Sequence, residues 1–104
     1  MSATLEQIKS LERIYTEGYA DNFLDQSLQK IIAYQLARDQ ADLAVLEQDL
    51  HALERQYEME SDEFYRRYNA GELGDDADFV EWNALYKMSI RLRARLDILQ
   101  GREA

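Results

Sequence analysis

The chain has no cysteine, no proline and only four glycines among its 104 residues. Without cysteine, neither disulfide bonds nor metal sites built on thiolates can form. Because proline and glycine are the residues that most often interrupt helices, their scarcity favours long helices. No apolar run approaches the roughly 20 residues that a membrane-spanning helix needs. The sequence therefore predicts an all-α protein without a membrane span.

The N-terminus has no basic segment followed by an apolar one, which is the pattern of a secretory signal. A length of 104 residues is near the lower end of what folds as one domain. We therefore expect a single cytoplasmic domain over residues 1–104. No motif in it indicates a cofactor, so none is expected.

The net charge is −9, and it is distributed unevenly along the chain. Residues 58–81, called the joint below, hold nine acids against two bases, whereas residues 82–104 hold five bases against two acids. An acidic chain lacks the basic footprint that nucleic-acid phosphates require, so we expect no direct nucleic-acid ligand. The joint is suited to a basic protein partner or to antiparallel self-pairing. The alternative is that these acids form an acidic surface that only keeps the protein soluble.

Two amphipathic segments open the chain. Apolar residues three or four positions apart predict a short helix over residues 4–17, and Gly18 is suited to end it. Asp21 or Asn22 can cap a long helix over residues 22–60. Its apolar residues repeat every seven positions, which is the pattern of a coiled-coil face. The heptad positions are Leu36, Leu43, Leu50, Tyr57 and Phe64, with Ile32, Leu46 and Leu53 on the second seam.

Asp39 falls on that second seam, where leucine would be expected. A polar seam residue can fix the register of a coiled coil at a cost in stability. Alternatively, the seam is open to water at this point. We expect the solvated arrangement.

Beyond residue 60 the helical structure is predicted to be interrupted twice. Ser61 with Glu63 after it is typical of a helix N-cap. Gly71 and Gly74 permit the left-handed backbone that a tight reversal needs. The predicted segments are a short helix or a continuation over 61–70, a turn over 71–76 and a C-terminal helix over 77–100.

The expected architecture is an antiparallel helical hairpin or coiled coil, with the short N-terminal helix beside it. A single hairpin of this length buries limited apolar area. We therefore expect dimerisation or a partner protein to complete the core.

The acidic residues and the single histidine form no catalytic or metal-binding pattern. Asp75, Asp76 and Asp78 are spaced somewhat like calcium-loop acids, but the glycine precedes them and the glutamate at the twelfth position is missing. His51 lies mid-helix beside a seam residue, with no cysteine or serine partner indicated. We therefore expect neither a metal site nor an enzyme.

Aromatic side chains are concentrated in the joint and just beyond it. Phe64, Tyr65 and Tyr68 share one helical face, and Phe79 and Trp82 follow the turn three positions apart. One interpretation is a small core that closes the hairpin, with Trp82 packed inside it. The other is an exposed set of aromatic anchors rimmed by carboxylates, which is the composition of a binding hot spot. Both can hold at once.

The joint also carries a family resemblance. Its sequence EFYRRYNAGELGDDADFVEW resembles a motif of small prokaryotic helical proteins, E-F-Y-x-x-F-x-x-G-x-L-G-D-x-x-D-F-x-E-W, with Tyr68 in place of Phe. Such proteins are similar to the antitoxin member of two-gene toxin–antitoxin modules, whose toxin can be a nuclease. The resemblance implies a protein that neutralises a basic, RNA-cleaving toxin. The matching positions are Glu63, Phe64, Tyr65, Gly71, Leu73, Gly74, Asp75, Asp78, Phe79, Glu81 and Trp82.

The sequence therefore favours a non-catalytic, antitoxin-like binding protein that occludes a basic toxin in a homo- or hetero-oligomer. No basic ribbon–helix–helix or helix–turn–helix pattern is present, so we do not expect this chain alone to bind DNA. The alternative is a structural coiled-coil homodimer acting as an adaptor or scaffold. The predicted partner-binding residues are Tyr65, Tyr68, Leu73 and Phe79 as apolar contacts, and Asp75, Asp76 and Asp78 as charged ones.

Overall fold

The computed structural model of the protein describes residues 2–102, and all regular structure in that range is helical. The all-α class predicted from the sequence is confirmed. Within the same range, none of the helices combines the length and the apolar character needed to cross a bilayer. The four helices are α1 (Ala3–Thr16), α2 (Asn22–Tyr57), α3 (Ser61–Asn69) and α4 (Ala77–Leu99).

The chain forms two compact units that divide within α2, between Ile31 and Ile32. In the N-terminal unit, the Ser2 hydroxyl caps α1 by accepting from the Leu5 amide, and no residue of α1 is buried. Asp21 caps α2 by accepting from the Leu24 amide at 3.0 Å. This unit therefore depends on local capping contacts more than on a core.

The C-terminal unit is an antiparallel hairpin, as predicted. Its α2 residues meet α4 in reversed order, because Tyr57 contacts Asp78 near the turn while Glu47 contacts Arg93 further along. Its apolar core is small and lies mainly at the joint. The buried hydrophobic residues are Leu46, Leu50, Phe64, Trp82 and Leu96.

The prediction that Asp39 lies at a solvated point of the seam is wrong, because the residue is buried. The residue is only 3 % exposed. Its Oδ1 accepts a hydrogen bond from Gln35 Nε2 at 2.9 Å, and its Oδ2 lies 2.7 Å from Arg95 Nε. Oδ2 has no aligned hydrogen bond from any described residue. A buried carboxylate needs a cation or hydrogen-bond donors to offset the loss of water, and Arg95 of α4 supplies the cation.

The long helix ends at Tyr57, three residues before the predicted end, because Glu58 adopts a left-handed φ of 52°. The Met59 amide then donates to the Glu54 carbonyl at 3.2 Å, closing the helix as a Schellman motif does. The other described positive-φ residues are all glycines, including Gly71 after α3. Glu58 therefore occupies a position suited to glycine.

We expect Glu58→Gly to stabilise the protein by about 0.5–1 kcal/mol, because glycine avoids the Cβ clash of the left-handed backbone. Glu58→Ala is the matched control, since it removes the same charge but keeps the Cβ. Urea unfolding of the three proteins measures the difference. Equal gains from glycine and alanine would show that charge, and not backbone strain, is responsible.

Ser61 also differs from its prediction as an N-cap. Glu60 holds the N-cap position of α3, with no hydrogen bond from its own side chain. Ser61 is the first helical residue and is buried, and its amide donates to Glu54 Oε2 at 2.8 Å. The N-terminus of α3 is thus satisfied by a carboxylate from α2, a residue that local sequence rules do not consider.

Candidate functional site

The joint is organised around a buried aromatic stack. Phe64 of α3 and Trp82 of α4 are both fully buried, with ring centroids 3.9 Å apart and planes 4° from parallel. Trp82 Nε1 donates to the Ser61 hydroxyl at 2.9 Å. Together with the bond from the Ser61 amide to Glu54, this contact joins α2, α3 and α4 through one polar chain. Trp82 therefore packs inside the hairpin, as the sequence had suggested.

Three of the four residues predicted as apolar contacts lie around that stack, and the fourth lies beside Tyr86. Tyr68, Leu73 and Phe79 are half-buried and pack against the core of Leu50, Phe64 and Trp82. Tyr65 is half-buried too, with its ring centroid 5.0 Å from that of Tyr86. The first of the two interpretations, a small core closing the hairpin, therefore describes most of their contacts. What remains for a partner is their exposed edges.

The three predicted aspartates have different surroundings. Asp76 is the N-cap of α4 and accepts from the Asp78 amide at 2.9 Å. Asp78 is half-buried and accepts a 2.5 Å hydrogen bond from the Tyr57 hydroxyl. Asp75 is exposed and makes no hydrogen bond or ion pair with the described residues through its side chain. Only Asp75 is therefore wholly available to a partner, while the other two also hold the fold.

The contact between Tyr57 and Asp78 changes the acidity of the tyrosine. The hydrogen bond to Asp78 raises the pKa of Tyr57 from 10.0 to about 12, assisted by desolvation and by the charges of Asp78 and Asp76. In the N-terminal unit, the hydrogen bond to Asp25 likewise raises the pKa of Tyr15 to about 12. Both bonds require a protonated phenol.

This arrangement predicts a loss of stability at alkaline pH. Because the folded pKa of Tyr57 exceeds its ordinary value, the bond contributes fully below pH 10 and is lost as the pH rises through about 12. Tyr57→Phe should therefore flatten the decline of stability across that window. Tyr19→Phe is the matched control, because Tyr19 is 69 % exposed and its hydroxyl makes no hydrogen bond with the described residues. Thermal unfolding across the window checks this, and a Tyr57→Phe curve parallel to wild type would contradict it.

The surface of the joint is strongly acidic. Eight of its nine acids are exposed, and only Asp78 is half-buried. Both of its bases, Arg66 and Arg67, lie within 3.9 Å of Glu72. The other exposed acids have no ion-pair partner among the described residues. These unpaired carboxylates are those of Glu58, Glu60, Asp62, Glu63, Asp75, Asp76 and Glu81.

A shallow groove of about 210 Å³ lies next to this surface, between α2, α3 and α4. Four carboxylates line it, with Tyr86 and Arg93. Two of them, Glu47 and Glu54, come from α2. The other two are Glu60, which is the N-cap of α3, and Asp62 in its first turn. No local signal could have joined these four, because the hairpin brings them together from separate helices.

Within residues 2–102, no three His, Asp or Glu side chains come together as a metal site would require. His51 is largely exposed and lies 3.9 Å from Glu54 across one helical turn. The arrangement thus presents carboxylates and ring edges on a surface, and its available chemistry is attraction of cationic groups.

Comparison of the chain with models of known protein families, with curated proteins and with solved structures found no match. Function is therefore inferred from the residues of this chain.

Proposed function

We propose that the protein is a non-catalytic binding module whose acidic joint docks on a basic protein partner. In the antitoxin-like form of this proposal, the joint neutralises a toxin by covering its cationic, RNA-cleaving surface. The observation that carries the proposal is the set of seven exposed carboxylates in the joint without an ion-pair partner among the described residues. Like charges concentrated in one short segment repel one another, and a cationic partner relieves that repulsion.

The stiffness of the joint supports the same function. Five of the seven carboxylates are carried on α3, the turn and the first turns of α4, and the stack of Phe64 on Trp82 joins α3 to α4. The other two, Glu58 and Glu60, lie between α2 and α3. A surface that is already ordered loses less conformational entropy when a partner binds. Arg or Lys side chains of the partner could also enter the groove, where Tyr86 offers an aromatic ring beside the carboxylates.

The division of roles among the predicted residues follows from their contacts. Asp75 supplies charge directly, and Asp76 and Asp78 add to the negative field while capping α4 and holding Tyr57. The half-buried rings of Tyr65, Tyr68 and Phe79, with Leu73, would give the partner an apolar centre, and the carboxylates would form a polar rim around it. An apolar centre with a polar rim is typical of protein interfaces.

The experiment is affinity capture from the native host with two baits. One bait is the wild-type chain, and the other is Asp75→Asn/Asp76→Asn, because asparagine keeps the N-cap that Asp76 provides while removing its charge. We expect the wild type to recover one small basic protein and the variant to recover much less of it. Expression of that protein alone should arrest growth, and co-expression of the wild-type chain should restore it.

Recovery of the same proteins by both baits would contradict a role for these two carboxylates. Recovery of a basic protein that does not impair growth would retain the binding function and exclude the antitoxin-like form. Recovery of the chain alone would favour the structural homodimer, acting as an adaptor or scaffold.

A further inference from the structure

A second surface of the hairpin lies away from the aromatic stack and is apolar. α2 and α4 form an open groove there, enclosing about 640 Å³, which is room for several side chains. Val45 of α2 is 59 % exposed and Met88 of α4 is 51 % exposed. Leu46 and Leu92 lie deeper, buried and half-buried respectively. Beyond the groove, exposed apolar residues continue along α4 to Ile98, which is 63 % exposed.

The charges along this groove are arranged by helix. Asp42 lies on the α2 side, whereas Arg91 and Arg95 lie on the α4 side. Arg95 is already paired with Asp39. Asp42 and Arg91 are exposed and form no ion pair with any described residue. The groove thus carries an unpaired acid on one edge and an unpaired base on the other.

We propose that this groove is the interface of a homodimer, in which α2 of one copy lies across α4 of the other. A two-fold axis parallel to the helices produces that arrangement and makes the interface self-complementary. Asp42 of each copy then faces Arg91 of the other, while Val45 and Met88 of both copies pack together. Stacking α2 on α2 instead would oppose like charges, which disfavours it.

The small core supports a second copy as the occupant. Only five hydrophobic side chains are buried in the described part of the chain, although α2 alone has 36 residues. Helices of this kind are stabilised chiefly by burying an apolar face against another element. Two hairpins packed through their grooves form a four-helix bundle, which buries the protruding side chains of both. This interface is separate from the joint and leaves it free to bind.

The test is the molar mass of the purified full chain over a roughly hundredfold dilution series, measured by sedimentation equilibrium. We expect wild type to be dimeric at the upper concentrations and Val45→Glu/Met88→Glu to be monomeric with unchanged helicity. Val80→Glu is the matched control, since Val80 is also exposed, at 52 %, but lies outside the groove and should leave the dimer intact. A wild type that is monomeric throughout, or a groove variant that dimerises like wild type, would overturn the proposal.

Charge reversal tests the pairing itself. Asp42→Arg and Arg91→Asp should each weaken dimerisation by about tenfold or more, because each places two like-charged pairs in the interface. Mixing the two variants should restore wild-type affinity, since every facing pair in the mixed dimer is then oppositely charged. The double variant Asp42→Arg/Arg91→Asp should also dimerise normally. A mixture that associates no more tightly than either variant alone would rule out α2 facing α4.

Discussion

Trp82→Ala is expected to destabilise the hairpin by about 3–5 kcal/mol, a large part of the stability of a small domain. The side chain is fully buried and stacks on Phe64 at 3.9 Å. Its removal leaves a cavity between α3 and α4 and also deprives the buried Ser61 hydroxyl of its donor. Because the core of this unit is small, few other contacts can compensate.

Two further substitutions divide that effect into its parts. Trp82→Phe retains an aromatic ring against Phe64 but loses the indole N–H, so it should cost less than alanine. Ser61→Ala keeps the ring and leaves the buried N–H without an acceptor, at a cost of about 1–3 kcal/mol. Val80→Ala is the control, as Val80 lies on the same helix but is half exposed, and should stay within about 0.5 kcal/mol.

Urea unfolding followed by far-UV circular dichroism measures all four variants without relying on tryptophan fluorescence. A Trp82→Ala variant as stable as wild type would mean that the stack does not hold the joint together. The proposal that the carboxylates are presented on a rigid surface would then lose its physical basis.

The second large effect concerns Asp39 and Arg95, where two substitutions that break the same ion pair should act in opposite directions. Arg95→Ala leaves the buried Asp39 carboxylate without its cation and should cost about 1–3 kcal/mol, reduced because Arg95 itself is half exposed. Asp39→Leu removes the buried charge and places leucine on the heptad seam. Such replacements are often neutral or stabilising by about 1–4 kcal/mol.

Arg93→Ala is the control for this comparison. Arg93 pairs with Glu47 at 3.3 Å in the same hairpin, but both side chains are more than two-fifths exposed. Exposed pairs contribute at most about 1 kcal/mol, so this variant should change little. Equal losses in Asp39→Leu and Arg95→Ala, measured by denaturant unfolding, would show that the ion pair is a net source of stability.

Sequence periodicity predicted much of this fold because it reports which side of a helix is apolar. The heptad positions from Leu36 to Tyr57 identified the long helix, although the same period ran on to Phe64, which belongs to α3. The few glycines marked where other helices end. Features set by contacts between distant segments were not accessible in that way. Asp39 looked solvated because Arg95 comes from another helix. The bond from the Ser61 amide to Glu54 was not predicted because these two residues belong to different helices.

The candidate site shows the same division. The charge of the joint is a property of composition and was found directly, and the packing of Trp82 followed from its place beside the other aromatic residues. The sequence offered Asp75 or Asp76 as the cap of α4, and Asp76 is the one that caps it. The role of Asp78 depended on the Tyr57 hydroxyl, which comes from a distant segment. Replacing Asp76 with lysine would therefore disturb a helix cap as well as a surface charge. Asparagine removes the charge and can still cap the helix, so the binding variant carries asparagine at this position.

The most direct measurement is a calorimetric titration of the captured basic partner with wild type, with Asp75→Asn/Asp76→Asn and with Glu12→Gln/Glu17→Gln. The last removes two exposed acids from the N-terminal unit and has the same net charge as the joint variant. If the joint is the binding surface, only Asp75→Asn/Asp76→Asn should weaken binding, by about tenfold or more, and added salt should reduce the difference. Equal affinities for all three proteins would contradict the central claim that the carboxylates of the joint bind the partner.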